Sequence, residues 1–193
     1  YQSYLNETNF SNANMDGIYL DVFSESKIHQ KKINAIIYDI VYGLFTASDD
    51  QYLKNNNQIL KFDSLIRSIA INIELGLLAV GCRNGEIQTR YLNNSDEYED
   101  LFQGHKGMVT CLNFNNDGSQ LVSGGEDRSV RIWDIGNSEN NKCLRGHQLG
   151  ITDITYNING EKIISASWDK TIKVWEVEAG EILHTYPSFP GVI

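Results

Sequence analysis

The sequence predicts an all-β fold built from repeated units of four short strands. One segment reads GHKGMVTCLNFNNDGSQLVSGGEDRSVRIWD from Gly104 to Asp134, and a second reads GHQLGITDITYNINGEKIISASWDKTIKVWE from Gly146 to Glu176. The two align without a gap, and both the Gly-His pair and the Trp recur after 42 residues. Sixteen glycines against two prolines, set between short apolar runs, are typical of many strands joined by tight turns.

The strands of one unit follow from alternating apolar residues between turn residues. In chain order the unit has a strand from Val109 to Phe114, a turn from Asn115 to Ser119, a strand from Leu121 to Gly124, a turn from Glu126 to Arg128, a strand from Ser129 to Trp133, and a last strand from Lys142 to Leu144. Four short strands in about 42 residues correspond to one blade of a β-propeller.

The motifs GH…SGGEDRSVRIWD and GH…SASWDKTIKVWE resemble the WD-repeat family. The resemblance implies a WD-repeat β-propeller in which a His, a Ser, an Asp and a Trp of each blade form a hydrogen-bonded tetrad. By position, the tetrads are His105, Ser123, Asp127 and Trp133 in one blade and His147, Ser165, Asp169 and Trp175 in the next. Such groups can satisfy one another when buried.

Two weaker units lie upstream, each marked by an apolar anchor residue that corresponds to Val109 and Ile151. The earlier anchors are Ile33 and Ile66, so the anchor spacings are 33, 43 and 42 residues. In the Ile66 unit the tetrad has decayed, because Val80, Asn84 and Arg90 replace Ser, Asp and Trp.

The Ile33 unit keeps His29, Thr46 and Asp50 at tetrad positions, but its interval is about ten residues short. The segment QYLKNNNQILKF stands where a third strand ending in Trp belongs. We therefore expect this blade to be truncated, or to have lost loop residues, and its third strand to be missing.

We expect one propeller domain over residues 1–193, divided into units of unequal quality. They are a partial blade at 1–26, containing MDGIYLDV as a third strand, an incomplete blade at 27–60, a degenerate blade at 61–98, full blades at 99–142 and 143–186, and the start of another at 187–193, with Val192 or Ile193 as its anchor. This makes about four blades, whereas closed propellers of this family usually have about seven. Since an open ring would expose strand edges, we expect a piece of a longer ring; closure by a partner chain is the alternative.

Composition restricts the partners and the compartment. The formal charge is -9, with 16 basic and 25 acidic residues, which argues against sequence-specific binding of nucleic acid by this chain alone. Cys82, Cys111 and Cys143 share no metal-ligand spacing and are interpreted as buried small hydrophobes. Free thiols favour a reducing compartment, nuclear or cytoplasmic, and no segment has the pattern of a secretory signal or a membrane span.

His105, Ser123 and Asp127 are the residue types of a catalytic triad, but the same trio recurs one unit later beside a Trp. We interpret it as structural and expect no catalytic residue. The four His residues are scattered and no phosphate-binding glycine loop is present, so we expect no metal and no cofactor.

Function is expected on the rims of the blades, because partners of WD-repeat proteins often dock on the face around the central channel. The residues that flank each anchor or precede the turn Asp are expected there. Carried over by position, the candidates are Trp168, Arg83, Arg67, Met108, Glu126, Thr110, Thr152 and Lys32, together with Asn34, Leu65, Gly150 and Asp49. Trp168 is the first choice, since Trp and Arg are frequent interface hot spots; packing against a neighbouring loop is the alternative.

The resemblance implies a non-catalytic scaffold that binds proteins as a subunit of a larger complex. The segment FDSLIRSIAINIELGLLAVGCRNGEI also resembles WD-repeat subunits that act in maturation of the large ribosomal subunit, where one blade lacks Gly-His and begins with an apolar Phe-Asp segment. Ribosome biogenesis is therefore one expectation. A substrate-receptor or regulatory propeller of an enzyme complex, such as a ubiquitin ligase, is the alternative.

Overall fold

The computed structural model describes residues 29–55, 59–92, 100–137 and 140–187. The strands in these ranges form antiparallel sheets of four strands each, the arrangement of propeller blades. The strands predicted around MDGIYLDV and at Val192 or Ile193 lie outside the described residues. The strands are β1 Ile33–Asp39, β2 Gly43–Ser48, β3 Tyr52–Lys54, β4 Ile59–Lys61, β5 Ile66–Asn72, β6 Leu77–Cys82, β7 Glu86–Tyr91, β8 Asp100–Gln103, β9 Val109–Phe114, β10 Gln120–Gly125, β11 Ser129–Asp134, β12 Lys142–Arg145, β13 Ile151–Tyr156, β14 Lys162–Ser167, β15 Thr171–Glu176 and β16 Ile182–Pro187.

Each blade is a run of hairpins in chain order, β1–β4 in blade 1, β5–β8 in blade 2, β9–β12 in blade 3 and β13–β16 in blade 4. The turn between the second and third strands contains a left-handed residue: Gln51, Arg128 and Lys170 have φ between 66° and 71°. In blade 2 this residue is Gly85, with φ of 90°, and a Cβ there would collide with the carbonyl oxygen of His105. Blade 2 therefore needs a glycine where its neighbours do not.

Blade 1 is shorter than its neighbours but complete, so the expectation that it lacks a third strand is wrong. Strand β3 pairs with β2 through Leu53 and Lys54, and β4 pairs with the other side of β3. Short as it is, β3 still contributes to the core through Leu53, which has 1% of its surface exposed and packs with Phe45 and Phe62. The missing residues shorten the strands without removing one.

The sheets are offset by one strand from the units expected from the sequence. Strand β8, which lies at the start of the expected unit 99–142, pairs with β7 and completes blade 2. Strand β12, most of which falls in the expected unit 143–186, pairs with β11 and completes blade 3. The third strand of each blade has one edge that the second strand leaves unpaired. The next strand in the chain, which precedes the anchor of the following blade, pairs with that edge and completes the sheet.

The hydrophobic core lies at the seams between neighbouring sheets. At the seam of blades 2 and 3, Leu77, Ile87 and Phe102 pack against Val109 and Trp133. The seams of blades 1 and 2, and of blades 3 and 4, contain equivalent clusters. Each sheet thus buries its apolar faces against its neighbours, as expected for repeats that cannot form a core alone.

The first strands of neighbouring blades run in the same direction. Near their starts, the side chains of Asn34, Ser68 and Thr110 donate hydrogen bonds to the carbonyl oxygens of Ile66, Val109 and Ile151, at 2.8, 3.0 and 2.6 Å. In each case the acceptor is the anchor residue of the next blade. These bonds join the blades at the level of the anchors.

The ends of the first strands are also joined. The side-chain amide of Asn72 donates to the backbone carbonyl of Asn116 at 3.2 Å, and the side-chain amide of Asn116 donates to the backbone carbonyl of Ile158. The blades therefore have two distinct faces. The anchor face is the side where the first strands begin, at Lys32, Leu65, Met108 and Gly150; the turn face is the side where they end, at Ile40, Ile73, Asn116 and Ile158.

Candidate functional site

The predicted tetrad residues of blade 3 lie within hydrogen-bonding distance of one another. The Nδ1 atom of His105 is 2.9 Å from Asp127, and its Nε2 atom is 2.7 Å from the Ser123 hydroxyl. The indole N–H of Trp133 donates to the same hydroxyl at 2.7 Å. With a neutral imidazole, Nδ1–H donates to the carboxylate and Nε2 accepts from Ser123, so every polar group has a partner.

Blade 4 repeats this arrangement. His147 is 2.8 Å from both Asp169 and Ser165, and the indole N–H of Trp175 donates to Ser165 at 2.8 Å. Sequence reasoning missed a fifth member in each blade: Ser129 and Thr171 donate to the Asp at 2.7 and 2.6 Å. Each of these residues lies two positions after its Asp, a spacing that could have shown it.

Two opposing effects act on the pKa of Asp127. Burial raises it, but hydrogen bonds from His105, the Lys106 amide and Ser129 outweigh burial and hold the pKa of Asp127 well below its usual range. The pKa of Asp169 is lowered against burial in the same way, by Thr171, the amide after His147, and His147 itself. Both carboxylates therefore remain ionised in mildly acidic solution.

Blade 1 contains a related set without a described Trp. His29 lies 2.9 Å from Asp50 and 2.8 Å from the Thr46 hydroxyl. The amide of Gln30 donates to Asp50, as the amide of Lys106 does to Asp127. Hydrogen bonds from the Gln30 amide and His29 lower the pKa of Asp50 against the effect of burial. The structure thus joins three residues that the sequence placed at tetrad positions.

Blade 2 fills the same space with different chemistry. Phe62 occupies the His position and is buried, and the Arg90 guanidinium lies over its ring at 5.4 Å. Val80 is buried at the Ser position, while Asn84, at the Asp position, is exposed and donates to Glu86. The Phe62–Arg90 pair was missed, because neither residue belongs to the family motif.

The triad-like residues are closed to solvent. The side chain of His105 has none of its surface exposed, and Ser123 is fully buried. Both imidazole nitrogens are engaged, and the Ser123 hydroxyl accepts from Trp133. A nucleophile must face its substrate, and this hydroxyl faces the interior of a blade.

The thiols differ in exposure. Cys82 and Cys111 are buried as expected, and burial raises the pKa of each to about 12. The expectation that Cys143 is buried is wrong: it lies on β12, the outermost strand of blade 3, and its side chain faces solvent.

Two negative findings apply to the residues that the structure describes. Within them, no cluster of His, Cys, Asp and Glu is arranged to hold a metal ion. No helix in that part of the chain has the length and apolar character needed to cross a membrane.

The candidate partner-binding residues come together on the anchor face through a repeated backbone hydrogen bond. In each of the four blades the residue before the turn Asp, or before Asn84 in blade 2, donates its amide to the carbonyl of the residue before the anchor, at 2.8 to 3.0 Å. The pairs are Asp49 with Lys32, Arg83 with Leu65, Glu126 with Met108 and Trp168 with Gly150. A Cβ on Gly150 would lie 3.3 Å from Glu126, so the rims of blades 3 and 4 are in contact.

Trp168 is the most exposed aromatic side chain of this face, with 71% of its surface accessible. Its backbone is fixed by the hydrogen bond from its amide to the Gly150 carbonyl, and most of its side-chain surface is accessible to solvent. Lys32, Arg83 and Glu126 are exposed as well. The anchor face therefore presents an aromatic ring and both signs of charge.

Other candidates of this face are partly occupied by contacts within the protein. Arg67 donates to Asn34 at 2.7 Å, and Asn34, itself buried, donates to Asp49. The Thr110 hydroxyl is bonded to the Ile151 carbonyl at the seam. Leu65, Met108 and Thr152 are half-buried.

The blades and their seams define the class of protein: the chain is built as a β-propeller. A family model described as "WD domain, G-beta repeat" matches residues 97–134 and 138–176, the stretches that hold the two complete tetrads. These two stretches are WD repeats.

Curated relatives include WD repeat-containing proteins and an APC/C activator protein. WD repeat-containing protein 18 of Bos taurus is 45% identical over 118 residues, which cover 52% of this chain and 27% of that protein. Its Mus musculus counterpart is 49% identical over 45 residues, covering 23% and 10%. The APC/C activator protein CDC20 of Saccharomyces cerevisiae is 36% identical over 84 residues, covering 39% and 14%. The chain spans at most about a quarter of the length of these relatives.

Proposed function

We propose that this chain is a non-catalytic scaffold of an intracellular multi-protein or ribonucleoprotein assembly and binds a protein partner through its anchor face. The supporting observation is that the same backbone geometry recurs on the rim of each blade, whereas the side chains on the rims differ from blade to blade. One hydrogen bond fixes each rim, yet the residues it joins differ in every blade. Such a surface has a constant shape and a specific chemistry, which is what selective recognition requires.

Trp168 is proposed as the main contact with the partner, and Arg83, Lys32 and Glu126 are proposed to surround that contact. An exposed indole on a fixed turn loses little conformational freedom when a partner covers it. Exposed cations prevail on this face: Lys32, Arg83, Lys106, Arg128 and Lys170 stand against Asp63 and Glu126. We therefore expect the partner segment to be acidic around an apolar contact.

The absence of catalysis is proposed from the buried tetrads. The triad-like groups are bonded to one another and to Trp133 inside a blade, where the exchange of substrate and product is blocked. The same sets recur in blade 4 and, without a described Trp, in blade 1. Recurrence in three of the four described blades supports a structural role.

The assembly is proposed to act in ribosome biogenesis, in the nucleus or the cytoplasm. The support is the apolar Phe62-Asp63 segment that opens blade 2, which resembles WD-repeat subunits of large-subunit maturation. The buried, unpaired thiols of Cys82 and Cys111 fit a reducing compartment.

A regulatory or substrate-receptor role in an enzyme complex is the second candidate. It is favoured by the similarity to a protein whose name describes an activator of APC/C. The partners recovered with the protein distinguish the two: pre-ribosomal proteins support the first, and enzyme subunits support the second.

The test compares the partners recovered with wild-type protein, Trp168→Ala and Arg83→Ala by affinity purification and quantitative mass spectrometry. We expect each substitution to reduce the main partner about fivefold to tenfold, since loss of a hot spot costs more than about 1 kcal/mol. The matched control is Ile158→Ser, an exposed residue of the turn face. Full recovery with both anchor-face variants would move the partner site elsewhere.

A further inference from the structure

The first turns of the blades present bulky apolar side chains to solvent at one repeated position. Ile40, Ile73 and Ile158 each follow the Asp or Asn at the end of a first strand, and they are 79%, 50% and 89% exposed. Val41 and Leu75, in the same turns, are also exposed. A single exposed apolar residue is ordinary, but a set on one face is typical of an interaction surface.

The turns themselves do not require these side chains. Asp39 accepts the amides of Val41 and Tyr42, and Asn72 accepts the amide of Leu75, so the polar residue before each Ile shapes the turn. Blade 3 builds its turn with Asn116 at the equivalent position. The isoleucines are therefore not explained by local folding.

The turns of blades 2, 3 and 4 form one continuous surface. Side-chain amides of Asn72 and Asn116 join the turn of each blade to the next, from blade 2 to blade 4. Leu75 packs against Gly118 of the neighbouring turn. The ends of all four first strands, from Asp39 in blade 1 to Ile158 in blade 4, also line one concave space of about 770 Å³.

Exposed carboxylates prevail on the turn face, whereas exposed cations prevail on the anchor face. Exposed carboxylates occupy its turns and the connections between third and fourth strands: Glu74, Asp117, Glu161, Glu178 and Glu181. Among the described residues of these turns and connections, Lys162 is the exposed cation, while the Lys142 ammonium is held by the carbonyls of Val177 and Glu178. Apolar side chains beside carboxylates that outnumber the exposed cations complement a ligand with apolar and cationic groups.

We propose that the turn face is a second docking surface, which binds a segment of a partner protein whose bulky apolar side chains alternate with Lys or Arg. The isoleucines and Leu75 receive the apolar side chains, and Glu74, Glu161 and Glu178 receive the cations. This surface is separate from the anchor face, so the scaffold holds two partners of opposite charge on opposite sides.

The test measures binding of fluorescein-labelled synthetic peptides by anisotropy. A peptide of alternating Leu and Lys is compared with equally long peptides of Ser and Lys and of Leu and Glu. We expect the Leu/Lys peptide to bind at least about tenfold more tightly than either, and its affinity to fall as salt is added. Equal binding of the Ser/Lys peptide would overturn the apolar component, and with it the proposal.

Variants locate the binding on the molecule. The triple substitution Ile40→Ser, Ile73→Ser, Ile158→Ser should weaken binding of the Leu/Lys peptide about tenfold or more. It removes three exposed apolar side chains without changing the core. Glu74→Gln with Glu161→Gln should weaken it severalfold and reduce its salt dependence. Trp168→Ala, on the other face, is the matched control and should bind normally; this result also separates the turn-face proposal from the anchor-face proposal.

Two other occupants are outcomes that would overturn the proposal. Light scattering that shows concentration-dependent self-association, lost in the triple Ser variant, would assign the face to a second copy of this chain. Co-sedimentation with vesicles of phosphatidylserine and phosphatidylcholine, also lost in that variant, would assign it to a membrane surface. Unchanged peptide binding by the triple Ser variant, with circular dichroism confirming its fold, would exclude the turn face altogether.

Discussion

Blades 2 and 3 share a strand order and a hairpin register, but different side chains hold their interiors together at four equivalent positions. Blade 3 uses the polar network of His105, Ser123, Asp127 and Trp133, in which each group satisfies another. Blade 2 places Phe62 under the guanidinium of Arg90 and buries Val80 beside them. The same backbone forms in both cases.

The difference shows what this position in a blade requires. It must be filled, and any polar group buried there must be paired. A carboxylate, a hydroxyl and an imidazole are not required, because blade 2 lacks all three at these positions. In blade 2, Phe62 and Val80 take the positions of the His and the Ser, and the blade still folds. This is expected if the network of blade 3 has a structural role, whereas a catalytic role would not explain it.

The largest effect is expected in blade 2. Phe62→Ala removes a buried aromatic ring and leaves a cavity beside Arg90, so we expect a loss of about 3–5 kcal/mol in the free energy of unfolding. Urea denaturation followed by tryptophan fluorescence measures it, and Phe62→Leu should lose clearly less. A loss below that of His105→Ala would contradict the view that packing alone supports this blade.

A smaller loss is expected in blade 3. His105→Ala or Asp127→Asn leaves a buried partner without its hydrogen bond, which costs about 1–3 kcal/mol. Because the residues form one network, the double variant of His105 and Ser123 should lose less than the sum of the single losses. If either single variant kept its full stability while a hydrolase activity disappeared, the structural interpretation would fail.

The pH dependence should separate the two blades. The folded-state pKa of Asp127 lies below its ordinary value of 3.8, so its stabilising effect is full well above that pH and is lost as the pH falls through the folded pKa. The stability difference between wild type and Asp127→Asn should therefore shrink in acid, while the loss caused by Phe62→Ala should stay nearly constant. Denaturation curves at a series of pH values test this, and a difference that grows in acid would refute it.

The smallest effect is expected from restoring one family residue to blade 2. Asn84→Asp places a carboxylate on an exposed turn whose His position holds Phe62, so no network can form. We expect a change within about 0.5 kcal/mol. A gain comparable to the loss caused by Asp127→Asn would show that the carboxylate stabilises the turn without the His.

Much of blades 3 and 4 could be predicted because a network needs fixed residue types at fixed spacing. Gly-His, Asp and Trp recur in register, and the strands fall between them. The short strands of blade 1 were not predictable. A third strand was expected to end in a Trp, but β3 of this blade has no Trp and contributes Leu53 to the core instead. Cys143 was misjudged because an apolar neighbour such as Leu144 indicates a strand but not which side of an edge strand is covered.

The candidate surfaces were predicted unevenly for a related reason. Residues of the anchor face could be located by position, because the anchor and the turn Asp mark it in each unit. Alternation along the chain cannot show that Arg67 is drawn inward to Asn34, or that Ile73 and Ile158 line the same concave space. Those facts depend on how the blades are placed side by side.

The hydrogen bonds from Asn34, Ser68 and Thr110 to the next anchor carbonyl have a consequence for how disturbance spreads. These bonds join each blade to its immediate neighbours. The stability of the protein is therefore approximated by the stabilities of the single blades plus the interactions between neighbouring blades. Weakening one seam, for example with Thr110→Val, should speed amide hydrogen exchange in blades 3 and 4 and leave blade 1 protected. One face could then loosen locally to admit a partner while distant blades keep their geometry.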